Sequence, residues 1–376
     1  MLVSAGFAAA IGLLVVFVGV QPKAPPESLP ARLSDSEFWR IVSGFSEPDG
    51  FFRSDNFVSN ESTFQHVIPE LSRRTKPGGV YLGVGPDQNF TYIAALQPKL
   101  AFIVDIRRQN MLQHLMYKAI IEMSANRAEF LAMLFSRPLP ENLSPDASPE
   151  ELFDALDSVE TSKDLYQSNL ARILNRLTAV HGFALDAADT ESIEYVYDAF
   201  RTAGPDIQYA YPSQWGWRRF PSYAELMVER DLEGKNHSYI ASEQQFGFIK
   251  QLQGENRIVP VVGNFAGDRA LSKVGNYLKM HGATVTAFYT SNVEFYLFQS
   301  EDWKKFVANA SRLPLDDTST FIRSYFNNGG FRFPIQRIDQ RSITLLDGMV
   351  DMLSKSNSGK IRIYKDLIGR SLDPAY

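Results

Sequence analysis

Two glycines, Gly83 and Gly85, follow the apolar run Val80-Tyr-Leu, and an acid, Asp105, ends the next apolar run, Leu100-Ala-Phe-Ile-Val. Residue types in that order suit a nucleoside. Glycines let backbone N–H groups approach the ligand, and an acid about 20 residues on accepts hydrogen bonds from ribose hydroxyls. Gln88 stands where a dinucleotide fingerprint has its third Gly or Ala. Asp87 opens the following helix, where pyrophosphate would otherwise bind, and a carboxylate there repels phosphate by about 1 kcal/mol or more. The sign of that charge favours a cationic ligand without phosphate. S-adenosylmethionine (SAM), which carries a sulfonium and an ammonium, is one. Asp87 also has the chemistry of a helix cap.

Other polar residues are predicted to border the same cleft, because ligands of open α/β sheets lie beyond the carboxyl ends of the strands. Asn264 follows one such strand, and Tyr289, Ser291, Asn292 and Glu294 end another. Asn60 and Glu61 precede the glycine strand, where a cover over the ligand would come from. Each is also a common turn or cap residue. A loop with Tyr209, Tyr211, Trp215, Trp217, Phe220 and Tyr223 would line a substrate pocket, face a partner, or simply pack onto its domain. Arg218 and Arg219 beside it suit an acidic substrate but do not make a nucleic-acid patch.

Other chemistries find no footing. The 376 residues include no Cys, which removes disulfides, thiolate metal sites and cysteine nucleophiles. The histidines at 66, 114, 181, 237 and 281 lack metal-ligand spacing. There is no Gly-x-Ser-x-Gly elbow and no phosphate-binding Gly-x-x-x-x-Gly-Lys loop, and Asp316-Asp317 sits in an apparent turn. A net charge of −5 argues against nucleic acid as the main partner, and 44% hydrophobic residues argue for a folded chain.

The elements that would position these residues follow from periodicity and caps. Ser34-x-x-Glu37 predicts a helix to about Ile41, and Ser62-x-x-Gln65 predicts a second with Phe64, Ile68 and Leu71 on one face. Strand, glycine turn, helix and strand from Val80 to Asp105 predict a parallel βαβ unit. Residues 110–203 read as helical, in runs over 112–135, 148–180 and 190–200; so long a stretch predicts an inserted subdomain. Arg257 to Val262 and Ala283 to Tyr289 read as strands, with a helix over Ala266–Met280 between them. The tail from Pro314 shows one helix around Ile343 to Leu353.

Residues Met1 to Val20 carry no charge and are long enough to span a bilayer. A Pro-rich linker, residues 21–33, precedes the folded part, 34–376. No Lys or Arg precedes the apolar run, and Lys23, Arg32 and Arg40 follow it. The expectation is a single-pass anchor with the domain cytoplasmic; the alternative is a signal segment and an exported, periplasmic domain.

The segment Tyr81-Leu-Gly-Val-Gly-Pro-Asp-Gln-Asn89 with Phe102-Ile-Val-Asp-Ile-Arg107 resembles the first SAM-binding motif of class I methyltransferases. More closely, the chain resembles an uncharacterised bacterial family described as methyltransferase-like. Ser54–Glu61, Pro221–Met227, Val259–Gly267 and Gly282–Glu294 carry that likeness. It implies an α/β, Rossmann-like open parallel sheet with a large helical insertion, and SAM as cofactor held at Gly83, Gly85, Asp87, Asn89 and Asp105. The expected function is a membrane-tethered, SAM-binding methyltransferase-like protein with a small-molecule or unknown acceptor. The alternatives are a non-catalytic binding or scaffold protein and an NAD(P)-dependent oxidoreductase.

Overall fold

The computed structural model describes residues 28–141, 143–209, 220–326 and 342–374. The apolar run 1–20 and residues 21–27 of the linker lie outside them. No helix among the described residues is long and apolar enough to cross a membrane.

The chain begins with α1 (Asp35–Phe45) and α2 (Ile68–Arg74), then β1 (Val80–Gly83), α3 (Gln88–Leu96), β2 (Leu100–Asp105) and α4 (Arg108–Met123). Further helices follow: α5 (Arg127–Leu134), α6 (Pro149–Asp157), α7 (Lys163–Asn175), α8 (Ala187–Ala203), α9 (Tyr223–Val228) and α10 (Glu243–Gly254). The second half runs β3 (Ile258–Val262), α11 (Ala270–Met280), β4 (Val285–Ser291), α12 (Val293–Gln299) and α13 (Trp303–Ala310). It ends with β5 (Thr320–Phe326), β6 (Ser342–Gly348), α14 (Met349–Asn357) and α15 (Tyr364–Ile368). One six-stranded sheet results, in the order β3-β2-β1-β4-β5-β6, parallel except that β6 runs antiparallel to β5. This is an α/β architecture consistent with a Rossmann-like fold.

Strands β1, β2 and β3 are buried along their whole length. Strands covered on both faces read as unbroken apolar runs, which is why the sequence reveals them. Leu82 stands in register with Phe102 and Phe288, and Phe288 with Phe321, so these side chains share one face. There Tyr277 of α11 meets Phe102 and Phe306 of α13 meets Phe288 and Phe321, at ring separations of 6.1, 6.3 and 6.1 Å. On the opposite face Tyr92 of α3 packs on Tyr81 and Tyr289. Each such burial contributes about 1.5–3 kcal/mol.

The β2–β3 crossover holds helices α4 to α10. Helix α4 lies on β2 and β3, and α8 and α10 pack against it. The predicted helical stretch 110–203 therefore starts with the crossover's own helix, and the added helices continue beyond it. Its first run divides where the Asn126 side chain accepts the Glu129 N–H and caps α5.

Three expectations fail locally. Ser62 and Gln65 form no capping box: α2 starts at Ile68 without a side-chain cap. The Gln65 amide instead donates to Leu226 O and accepts from His237 N. The tail helix around Ile343 to Leu353 is β6 followed by α14, and β5 was not foreseen. Its apolar pattern is broken by Arg323, a fully buried residue. Arg323 donates from Nε and Nη2 to Glu294 (2.7 and 3.1 Å) and from Nη1 to Asp347 (2.8 Å) and Ser371 (2.6 Å). Burial pushes the Glu294 carboxyl above its ordinary range even against Arg323. Removing one partner of such a group strands the others. Arg323→Leu is expected to lower stability by about 3–5 kcal/mol, read from the shift of the urea unfolding midpoint.

Candidate functional site

The strand order reverses between β1 and β4. Beyond the carboxyl ends at that point lies a cavity of about 520 Å³, the position where open α/β sheets bind ligands. Val84 and Gly85 after β1, Asp105 of β2, Asn264 after β3 and Tyr289 and Ser291 of β4 form its floor. A strap, residues 51–61, covers it. One end of the strap is stitched to the β2–α4 side: Gly50 N donates to Ile106 O, Arg108 N to Asp49, and Gln113 Nε2 to Phe57 O. At the other end Thr63 exchanges hydrogen bonds with Ser342 and Thr344 of β6.

The two glycines serve different needs. A Cβ on Gly83 would stand 1.9 Å from Oδ1 of Asn89, so this glycine makes room for a side chain of the protein. Asn89 is fully buried; it accepts from the Tyr81 hydroxyl (2.8 Å) and donates to Val84 O (2.9 Å) and Pro86 O (2.7 Å), which staples the turn shut. Gly85 has φ +79°, and a Cβ there would meet nothing within 4 Å. Its backbone therefore borders open space, in a left-handed conformation that favours glycine. His114 donates from Nε2 to Gly85 O (2.8 Å), and burial pulls its pKa down to about 4, which keeps the ring neutral.

Asp87 does not face the cavity, nor does its side chain cap α3. It is buried beside Tyr117, Tyr223 and Tyr239, and the Tyr239 hydroxyl donates to it at 3.3 Å. Burial in that ring of tyrosines pushes its pKa up to about 7. The carboxylate that does face the cavity at the start of α3 is Glu61, only 1% exposed. It accepts from Gln88 Nε2 (3.0 Å), the Tyr289 hydroxyl (2.8 Å) and the Ser291 hydroxyl. Ser291 sits at φ 50°, where a register shift in β4 turns it toward the strap. All three donors are neutral, and no described cation pairs with Glu61.

Asp105 also lines the cavity, but Arg107 holds it. Arg107 donates from its backbone N (2.9 Å) and Nε (3.0 Å) to Oδ1 and from Nη2 (2.9 Å) to Oδ2, while its Nη1 reaches the carbonyls of Ser54 and Asp55 in the strap. Asn60, Asn264 and Asn292 border the cavity as well. The Asn264 amide oxygen accepts from Ala266 N (2.9 Å), a turn contact. The structure thus gathers Gly85, Asp105, Asn60, Glu61, Asn264, Tyr289, Ser291 and Asn292 at one cavity, whose lining does not include Gly83, Asp87 or Asn89. Glu294 belongs to the Arg323 cluster.

Of the aromatic loop, Tyr209 lines the cavity, Phe220 packs on it at 5.2 Å, and Tyr223 turns into the core. Tyr211, Trp215, Trp217, Arg218 and Arg219 lie outside the described residues. Sequence reasoning missed Arg107, whose spacing two residues after the acid was the available signal. It also missed the aromatics Phe51, Phe52 and Tyr296.

The environment of Asp87 has a measurable consequence. Its raised pKa means that folding loses stability as pH climbs from about 4, where the unfolded chain ionises, to about 7, where the native group does. Asp87→Asn is expected to leave stability unchanged at pH 4 and to raise it by roughly 2–4 kcal/mol at pH 8, measured by denaturant titration at both pH values.

No curated protein matches the sequence. Among solved structures, the rRNA methyltransferase aviRa from Streptomyces viridochromogenes is similar at 12% identity over 90% of this chain and 93% of that one. The TM-score is 0.25, and a superposition that loose supports no conclusion about fold or activity. A family model described as "Domain of unknown function (DUF7790)" matches residues 56–350, a span that includes Glu61, the glycine turn, Asp105 and Arg323. With most of its length matched, the chain belongs to that family.

Proposed function

We propose that the cavity binds SAM and that the protein is a methyltransferase-like enzyme acting on a small acceptor. The observation that carries this reading is Glu61, a buried carboxylate open to the cavity and hydrogen-bonded only by neutral groups. A buried charge without a counter-charge is costly. The three hydrogen bonds to Glu61 offset part of the cost, and a cationic ligand would offset more. The same carboxylate at the start of α3 repels the pyrophosphate of a dinucleotide, which disfavours an oxidoreductase.

The remaining residues fit a nucleoside. Gly85 offers backbone without a side chain in the way. Asp105 Oδ1 takes two hydrogen bonds from Arg107 and Oδ2 takes one, so Oδ2 can still accept a ribose hydroxyl. Bound SAM would supply a methyl group on a sulfonium, a leaving group that needs no acid. The protein's part is then to orient the reactants and to keep water out beneath the strap. The hold of Arg107 on Asp105 favours a second reading, a binding protein that keeps the fold without the reaction.

Calorimetric titration of the full-length protein with SAM and with adenosine tests the assignment. Glu61→Gln is expected to weaken SAM at least about ten-fold, a loss of about 1.4 kcal/mol, and to leave adenosine nearly unchanged. Asp105→Ala is expected to weaken both. An absence of heat with SAM at millimolar concentration overturns the reading. SAM binding without methyl transfer to any acceptor supports the second one.

A further inference from the structure

We propose that the solvent-facing end of the cavity is a subsite for a small organic cation, an alkylamine in its ammonium form, bound beside the donor. This inference rests on the SAM reading and concerns the form in which the second ligand binds; after the ammonium loses a proton to bulk water, the neutral amine's lone pair would form the N–C bond as the S–C bond breaks, leaving a thioether. Phe51 lines the cavity yet is 87% exposed, the most exposed large apolar side chain among the described residues. Next to it Phe52 meets Tyr296 of α12 edge to face, with ring centroids 5.5 Å apart and planes at 89°. Tyr209 adds a third wall, and burial raises its pKa to about 12, so its ring stays neutral. Aromatic faces attract cations, ligand ammonium ions among them.

The charges agree with the rings. Asp302, just before α13, lines the same cavity. It accepts from Ser300 (3.0 Å) and pairs with Lys305 (2.8 Å); Lys305 is 68% exposed, and a pair so solvated is weak enough for a ligand cation to compete for the acid. Among the described residues that line the cavity the one cation is Arg107, and Asp105 already holds it. An ammonium there finds rings and an acid, whereas a phosphate or a carboxylate would meet Asp302 and an Arg107 that Asp105 already holds. The volume, about 520 Å³ for donor and acceptor together, is that of a small-molecule site.

The test uses the full-length protein saturated with sinefungin, a SAM analogue with an amine in place of the sulfonium methyl. Phenethylamine, 2-phenylethanol and 3-phenylpropionate are titrated into that complex. Phenethylamine is expected to bind at least about ten-fold more tightly than the alcohol or the acid. Tyr296→Leu and Asp302→Asn are each expected to weaken it about five-fold or more, with sinefungin affinity held within about two-fold. Equal or tighter binding of the alcohol or the acid, or an amine preference that survives both substitutions, overturns this inference while the SAM reading stands. Failure of sinefungin itself to bind removes the SAM reading, and this inference with it.

Discussion

A carboxylate with almost no exposed surface, held by three neutral hydrogen-bond donors and by no described cation, sets the terms for everything around the Glu61 site. Gln88, Tyr289 and Ser291 come from α3's first turn and from the end of β4. They can reach Glu61 only if β1 and β4 are neighbours and the strap lies across both. The sheet order delivers the first condition and the stitching of the strap delivers the second. Loss of either would leave a charge in a low-dielectric interior with fewer partners, an arrangement proteins do not sustain without compensation.

The glycine turn shows how a motif and its surroundings divide the labour. Gly83 accommodates Asn89, and Asn89 in turn fixes the carbonyls of Val84 and Pro86. Gly85 alone presents bare backbone to the cavity. A spacing that reads as one ligand-binding signal is thus half scaffold and half site. The charge argument transfers in the same way: a negative group does guard the start of α3, and the side chain that supplies it to the cavity is Glu61, while Asp87 sits among tyrosines.

What the sequence makes legible follows from what is local. β1, β2 and β3 are doubly covered and read as apolar runs, and the acid at the tip of β2 falls at the expected spacing. β5 does not read that way, because Arg323 interrupts it and the carboxylates that tolerate Arg323 are 29 and 24 residues distant in the chain. Ser62 and Gln65 have the spacing of a capping box, but long-range partners claim Gln65 and its neighbour Thr63. The facing of Asp87 was equally hidden, since Tyr117, Tyr223 and Tyr239 reach it from three separate helical and loop segments of the crossover. Cavity residues clustered at strand ends were legible as candidates; the direction of each side chain was not.

Arg107 joins two objects that a ligand must deal with together. One side of its guanidinium rests on the acid at the cavity rim and the other on carbonyls of the overlying strap. An occupant that displaced the guanidinium from that acid would also disturb its bonds to the strap, because one planar group makes both. Such linkage is reciprocal, so the acid's freedom to take a ligand and the strap's hold on the sheet share one side chain.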